Sequence, residues 1–207
     1  MYARSTTVRG DPRRIDDGIA EVRDTVMPLV QGMDGFVGLS MLADRETGRC
    51  IVTSAWETEE ARRASGERIR DSRARTADLM GAPEPEVTDW EFAVLHRVHE
   101  APPGACARVT WMEGDPAATD RTLDGWRAQV LPRLEAMPGF CSVSLLVDRR
   151  SGRGVTAVTF EDREHMERTR EQARALREEV APALGSRILD VAEFELAIAH
   201  LRVPEMV

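Results

Sequence analysis

The chain has 207 residues, with 28 basic residues, all arginine, against 36 acidic ones, and a net charge of −8. An acidic chain without a basic face excludes phosphate-backbone binding, so no nucleic-acid partner is expected, and no apolar run approaches the roughly 20 residues that cross a bilayer. Three scattered cysteines, Cys50, Cys106 and Cys141, form neither a disulfide framework nor a zinc site, and each reads as a small buried apolar residue.

Residues 2–8 are strand-like from the outset, with no charged leader and apolar core of a signal peptide, so the protein is expected in the cytoplasm. The chain contains neither Lys nor Asn; both use A-rich codons, which points to a GC-rich bacterial genome. Gly10-Asp11-Pro12 supplies a turn, an N-cap and a proline at the first helical position. The following helix carries Ile15, Ile19, Val22, Val26, Leu29, Val30 and Met33 on one stripe at a 3.6 period. Pro28 is expected to kink it, and Gly35 to end it. Residues 36–43 and 51–56 read as two strands joined by Asp44-Arg45-Glu46-Thr47-Gly48-Arg49, a polar hairpin loop with a late glycine. Thr58 caps a second helix running to about Met80, whose arginines Arg62, Arg63, Arg70 and Arg73 are expected on a solvated face. Residues 87–98 make a fourth strand.

After Pro102-Pro103-Gly104 the same order returns. Residues 3–61 lie over residues 107–165 without a gap, and 21 of those 59 positions are identical. Unrelated segments match at about one position in fifteen on ordinary residue usage. The offset of 104 carries Met33-Asp34-Gly35-Phe36 onto Met137-Pro138-Gly139-Phe140, and Gly48-Arg49 onto Gly152-Arg153. The last strand is expected over residues 188–203. The domains are therefore residues 1–101, a linker at 102–104, and residues 105–207. Each half reads as an α+β, ferredoxin-like β-α-β-β-α-β repeat, an antiparallel sheet with both helices on one face. The other sheet face is also apolar, and the second copy is its natural cover, so the two sheets are expected to close one intramolecular dimeric α/β-barrel.

A helix ending in Met-Pro-Gly-Phe, a strand pair with a polar hairpin, and a strand ending Trp56-Glu57-Thr58-Glu59-Glu60-Ala61 together resemble the antibiotic-biosynthesis-monooxygenase type of the dimeric α/β-barrel superfamily. The resemblance covers nearly the whole chain and implies a ligand pocket in each half, between helices and sheet. The haem-degrading branch uses an Asn on the first strand, a Trp ending the third and a His ten residues beyond. Here Trp56 matches the Trp, but position 66 is Gly; in the second half Phe160 and Arg170 stand at the Trp and His positions, leaving no axial ligand. The quinone-forming branch needs no metal or flavin: an apolar slot, an acid or base and an anion-stabilising donor suffice. It implies a cofactor-independent monooxygenase acting on a flat aromatic or polyketide-like molecule, with no cofactor. The alternative is a barrel that binds a small ligand without turning it over. Either way the partner is a small aromatic molecule; a further homodimer of the tandem chain is left open.

Trp56 is the leading candidate to stack the ligand, with Phe36 and Tyr2 beside it in the first half and Phe160 in the second; its other reading is a large core residue at a strand end. His96 and His200 sit late in the fourth strand of each half, His96 on the face of Phe92 and Val94, either as general bases or as neutral satisfied rings. Arg4 and Arg108 occupy equivalent positions in the first strands, either as donors to an enolate or carboxylate or as ion-pair partners of Glu91 and Glu193. The pocket of the first half, lined by Trp56 and His96 and helped by Arg4, is expected to be the working site, with the second half as scaffold.

Overall fold

The computed structural model describes residues 1–201 and 204–206, so the expected end of the last strand at Val203 lies outside the described residues. The chain runs β1 (Tyr2–Arg9), α1 (Ile15–Glu21), α2 (Met27–Gln31), β2 (Phe36–Ala43), β3 (Arg49–Trp56), α3 (Glu59–Arg68), α4 (Arg70–Leu79) and β4 (Glu86–Arg97). The order then repeats as β5 (Cys106–Gly114), α5 (Thr119–Gln129), α6 (Leu131–Glu135), β6 (Phe140–Asp148), β7 (Arg153–Phe160), α7 (Arg163–Arg168), α8 (Arg170–Ala183) and β8 (Ser186–Leu201). No helix among the described residues is long and apolar enough to cross a membrane.

Local chemistry explains these boundaries. Asp11 and Asp115 each accept a hydrogen bond from the backbone N–H two residues on, opening a short 3₁₀ turn that begins at a proline and leads into the helix. Thr58 and Asp162 cap the second helices by accepting from Ala61 and His165. Pro28 does break the first helix. A wide π turn over Val22–Val26 leads into α2, which accommodates a ring that lacks an N–H and crowds the carbonyl four residues back. Pro132 stands at the α5–α6 break in the same way. The single second helix expected from the sequence is instead two segments in each repeat. In the second repeat the cause is visible: the Met166 carbonyl accepts from the Thr169 hydroxyl (2.8 Å) and from Arg108 (2.5 Å), and the helix is interrupted at Thr169.

Hydrogen bonding passes through the strands in the order β1-β3-β2-β8-β5-β7-β6-β4 and closes, giving an eight-stranded antiparallel barrel with no free edge. The register follows the repeat: Arg4 faces Ser54 and Arg108 faces Val158, and both hairpins carry a bulge beside their opening phenylalanine, at Phe36/Gly38 and Phe140/Ser142. Gly48 and Gly152 turn the hairpins at φ +77° and +73°, a left-handed conformation that favours glycine.

The compact units do not coincide with the repeats. One holds Met1–Trp90 and the end of β8 from Leu196; the other holds Glu91–Glu195 and the residues from Pro204. The fourth strand of each repeat thus starts in one unit and finishes in the other. The first unit packs Ile15, Val22, Val30, Leu39, Met41, Trp56 and Met80 into one core. The second packs Leu123, Trp126, Phe140, Val143, Phe160, Met166 and Leu176. Each such buried side chain contributes about 1.5–3 kcal/mol relative to exposure.

Candidate functional site

Each unit has a cavity between its helices and its sheet. The one in the second unit encloses about 690 Å³ including its open mouth, and its wall is chiefly apolar, with Trp126, Leu134, Phe160, Leu176 and Val180 prominent. The one in the first unit encloses about 570 Å³. The offset of 104 relates them: Arg4, Thr6, Val22, Arg73 and Met80 in the first correspond to Arg108, Thr110, Trp126, Arg177 and Leu184 in the second. The first is narrower because Met80, fully buried, packs on Gly18, where an added Cβ would lie 2.6 Å from its Sδ. Leu184 in the second is only partly buried.

Arg4 and Arg108 anchor the walls of these cavities. Arg4 donates from Nε to Asp89 (2.8 Å), from Nη2 to the same carboxylate (3.3 Å) and from Nη1 to the Arg62 carbonyl (3.1 Å). Arg62 also pairs with Asp89. Gly66 lets the guanidinium reach the helix, since a Cβ there would lie 2.5 Å from Arg4 Nη1. Arg108 donates to Glu193 from Nε (3.0 Å) and Nη2 (2.8 Å), to Thr169 and to the Met166 carbonyl, while Arg170 holds the other Glu193 oxygen. Burial, the largest influence, pushes Asp89 and Glu193 upward, but hydrogen bonds from two arginines each outweigh it and hold both carboxyls below the usual range. The guanidinium nitrogens of Arg4 and Arg108 are thus engaged by the protein. Arg108 meets Glu193, but Arg4 pairs with Asp89 and not with Glu91, which holds Arg149 (2.8 Å). Subtracting 104 from 193 gives 89, the pairing that the repeat itself dictates.

Trp56 does not line the first cavity. It is fully buried, its indole N–H donates to the Ser54 hydroxyl (3.0 Å), and Phe36 meets it edge-on at 5.6 Å. Tyr2 lies across from it in the β1–β3 ladder and lines neither cavity. Phe160, by contrast, lies in the wall of the second, with Arg108 5.6 Å over its ring. The histidines lie elsewhere. His200 stacks on Phe36 at 6.3 Å in the first unit. His96 stacks on Phe140, with Nδ1 2.6 Å from Glu205 and Nε2 3.7 Å from Glu135, all in the second unit. Neither lines these cavities; of the expected grouping of Trp56, His96 and Arg4, Arg4 alone stands in the wall of the first cavity, and His96 belongs to the second unit, which β4 enters at Glu91. A bulge between Phe92 and Val94 also breaks the alternation that set Phe92 and His96 on one face.

Two features were missed. Arg73, expected on a solvated face, lies in the first cavity with Nε and Nη2 buried and without hydrogen-bond partners; Arg62, of the same expected face, is buried too. The signal was present: Ile69, Arg73, Thr76 and Met80 follow helical spacing, as do Ala173, Arg177, Val180 and Leu184, and all eight line the cavities. Burial first, and then the neighbouring Arg4 or Arg108, lower Arg73 and Arg177 from the usual arginine value. The second is Thr156, whose hydroxyl is buried in the second cavity without a partner. No group of three His, Cys, Asp or Glu able to hold a metal occurs among the described residues. Burial raises the Cys106 thiol and pushes Cys141 up to about 11.

No family model matches the chain. It is 50% identical over 207 residues to the uncharacterised protein Rv2557 of Mycobacterium tuberculosis, covering all of this chain and 92% of that one. It is 52% identical over 208 residues to Rv2558 of the same organism, covering 88% of it. Among solved structures, a candidate monooxygenase of Lactobacillus acidophilus aligns at TM-score 0.69 and 10% identity over 97% of this chain and 96% of that one. An anthrone oxidase-like protein aligns at 0.65 and 13% over 97% and 91%. A Listeria monocytogenes ferredoxin-fold protein related to antibiotic biosynthesis monooxygenases aligns at 0.52 and 7% over 94% of both chains. At these identities the likeness shows the fold, an antibiotic-biosynthesis-monooxygenase-type α/β-barrel.

Proposed function

The chain belongs to the family of the mycobacterial proteins Rv2557 and Rv2558, and from that premise and its monooxygenase-type fold we propose that it is a cofactor-independent monooxygenase acting on a flat, electron-rich aromatic or polyketide-like molecule. The observation that carries this reading is the second unit's cavity, an apolar chamber walled by Trp126 and Phe160 with an uncommitted Thr156 hydroxyl inside it. A phenol or anthrone bound there meets apolar surface on its faces and a hydrogen-bond donor for its oxygen. The positive field of Arg177 in the same wall favours the ionised form. Ionisation delivers the substrate proton to solvent and leaves a carbanion conjugated with the oxyanion. Addition of O₂ at that carbon, followed by loss of water, converts a CH₂ group into a carbonyl: one O₂ is consumed and one water released, with no external reductant.

A second reading is a ligand-binding barrel without turnover. What favours it is that no His, Cys, Asp or Glu lines either cavity, so no side chain there is placed to take a proton. Oxygen uptake by the metal-free protein, offered a panel of anthrones and naphthols, separates the two. Uptake that falls in Thr156→Val supports the oxygenase. Saturable quenching of tryptophan fluorescence with no uptake across the panel supports the binding barrel.

A further inference from the structure

We infer that each cavity is a receptor for a monocarboxylate, with Arg73 in the first unit and Arg177 in the second pairing with the ligand's carboxylate while its apolar body lies along the aliphatic and aromatic wall. The inference starts from charge pairing. In the first unit Asp89 is shared by Arg4 and Arg62, and in the second Glu193 is shared by Arg108 and Arg170. Each cavity then holds one more arginine, at repeat-equivalent positions 73 and 177, and neither of these has a hydrogen bond or ion pair to a carboxylate among the described residues. Arginine stays protonated at neutral pH, so each cavity keeps one positive charge that the protein leaves unpaired. Two nitrogens of Arg73 have also given up water without gaining a partner, a costly state that an entering anion relieves.

The shape of the unpaired group selects the anion. A guanidinium presents parallel N–H donors that match the two oxygens of a carboxylate. One such fork matches the two oxygens of one carboxylate, so a single acid group is what each of these arginines is shaped to engage. The remaining wall of the second cavity is almost wholly apolar and aromatic, which suits an aryl or alkyl acid. The inference shares its location and Arg177 with the oxygenase reading of the second cavity, but it does not require turnover.

The test is calorimetric titration of the full chain with naphthalene-2-carboxylate and decanoate, each beside its uncharged amide, at pH 7.5. Saturable binding of a carboxylate, tighter than its amide by roughly tenfold or more, is expected. In the Arg73→Gln/Arg177→Gln double variant that preference is expected to vanish, and Arg177→Lys alone to keep part of it. Melting temperatures guard against a merely structural role: loss of an unpaired charge leaves the double variant as stable as the parent or more so. Equal affinity for acid and amide, a preference that survives in the double variant, a double variant that melts well below the parent, or no saturable binding of either acid overturns the inference. Oxygen uptake on neutral anthrones is measured separately, so carboxylate selectivity without uptake removes only the oxygenase, and uptake without carboxylate selectivity removes only the receptor.

Discussion

Replacing Arg108 by Met removes the centre of the second unit's polar wall while keeping most of the side chain's volume. Arg108 is 3% exposed and satisfies Glu193 twice, the Thr169 hydroxyl and the Met166 carbonyl. Breaking a buried pair by deleting one partner costs about 3–5 kcal/mol, because the survivor is left uncompensated. Arg170 remains on Glu193, which places the expected loss toward the lower end. At about 2–4 °C per kcal/mol for a chain of this size, the melting temperature should fall by roughly 6–12 °C at pH 7. The pH dependence adds a sign. Burial, the largest influence on Glu193, raises it, yet the hydrogen bonds from Arg170 and Arg108 bring it net below its ordinary value. The folded state therefore releases this proton at lower pH than the unfolded chain. The stabilisation is complete above the unfolded carboxyl value of about 4.3 and is lost as pH falls through the folded one. The gap in stability between parent and Arg108→Met should accordingly be widest near neutral pH and narrow below about pH 4. Denaturant titrations from pH 3 to 8 measure it. A loss under about 1 kcal/mol at pH 7, or a gap that widens on acidification, would refute the assignment of Arg108 as a buried, carboxylate-bound anchor.

Other consequences are equally direct. Gly152→Ala puts a Cβ 2.2 Å from the Gly114 carbonyl at φ +73°, and should cost at least about 3 kcal/mol in chemical denaturation. Trp56→Phe removes the indole bond to Ser54, so stability should drop by about 1 kcal/mol; ligand affinity should stay within about twofold, as expected of a residue outside the cavity wall. Thr156→Val deletes a buried hydroxyl that has no partner and should raise stability by up to about 1 kcal/mol while slowing oxygen uptake.

Much of this architecture was legible because turn chemistry and repetition are local signals. Gly48 and Gly152, Asp11 and Asp115, and the Met-x-Gly-Phe junctions fix where helices and strands begin and end, and a match at constant offset shows that the same fold is written twice. The misplacements came where one residue of register matters. The bulge at Phe92/Val94 turns successive side chains to new faces, and pairing Arg4 with Glu91 instead of Asp89 is a two-residue slip along the same strand. The departure of the fourth strands from their own units could not be read from either half alone, since each strand's pattern is compatible with any sheet that buries it. Arg73 was misread for another reason. A charged residue on an amphipathic helix is by default a solvated one, and only its spacing from Ile69, Thr76 and Met80 marked it as facing inward.

The two cavities also differ in an ordered way. Their charged groups are the same residue at equivalent positions: Arg4 and Arg108, and Arg73 and Arg177. What has diverged is the wall, where the positions equivalent to Val22, Ile69, Met80 and Val52 of the first cavity hold Trp126, Ala173, Leu184 and Thr156 in the second. Had one cavity become mere scaffold, its unpaired arginine would be the first group to go, since an uncompensated guanidinium against apolar surface costs stability and a neutral residue of similar size does not. Arg73 is retained with two of its nitrogens, Nε and Nη2, sealed from water. On the carboxylate reading this is what two working receptors require: a common anion site, with the volume set by Met80 in one and Leu184 in the other deciding how large a body each acid carries.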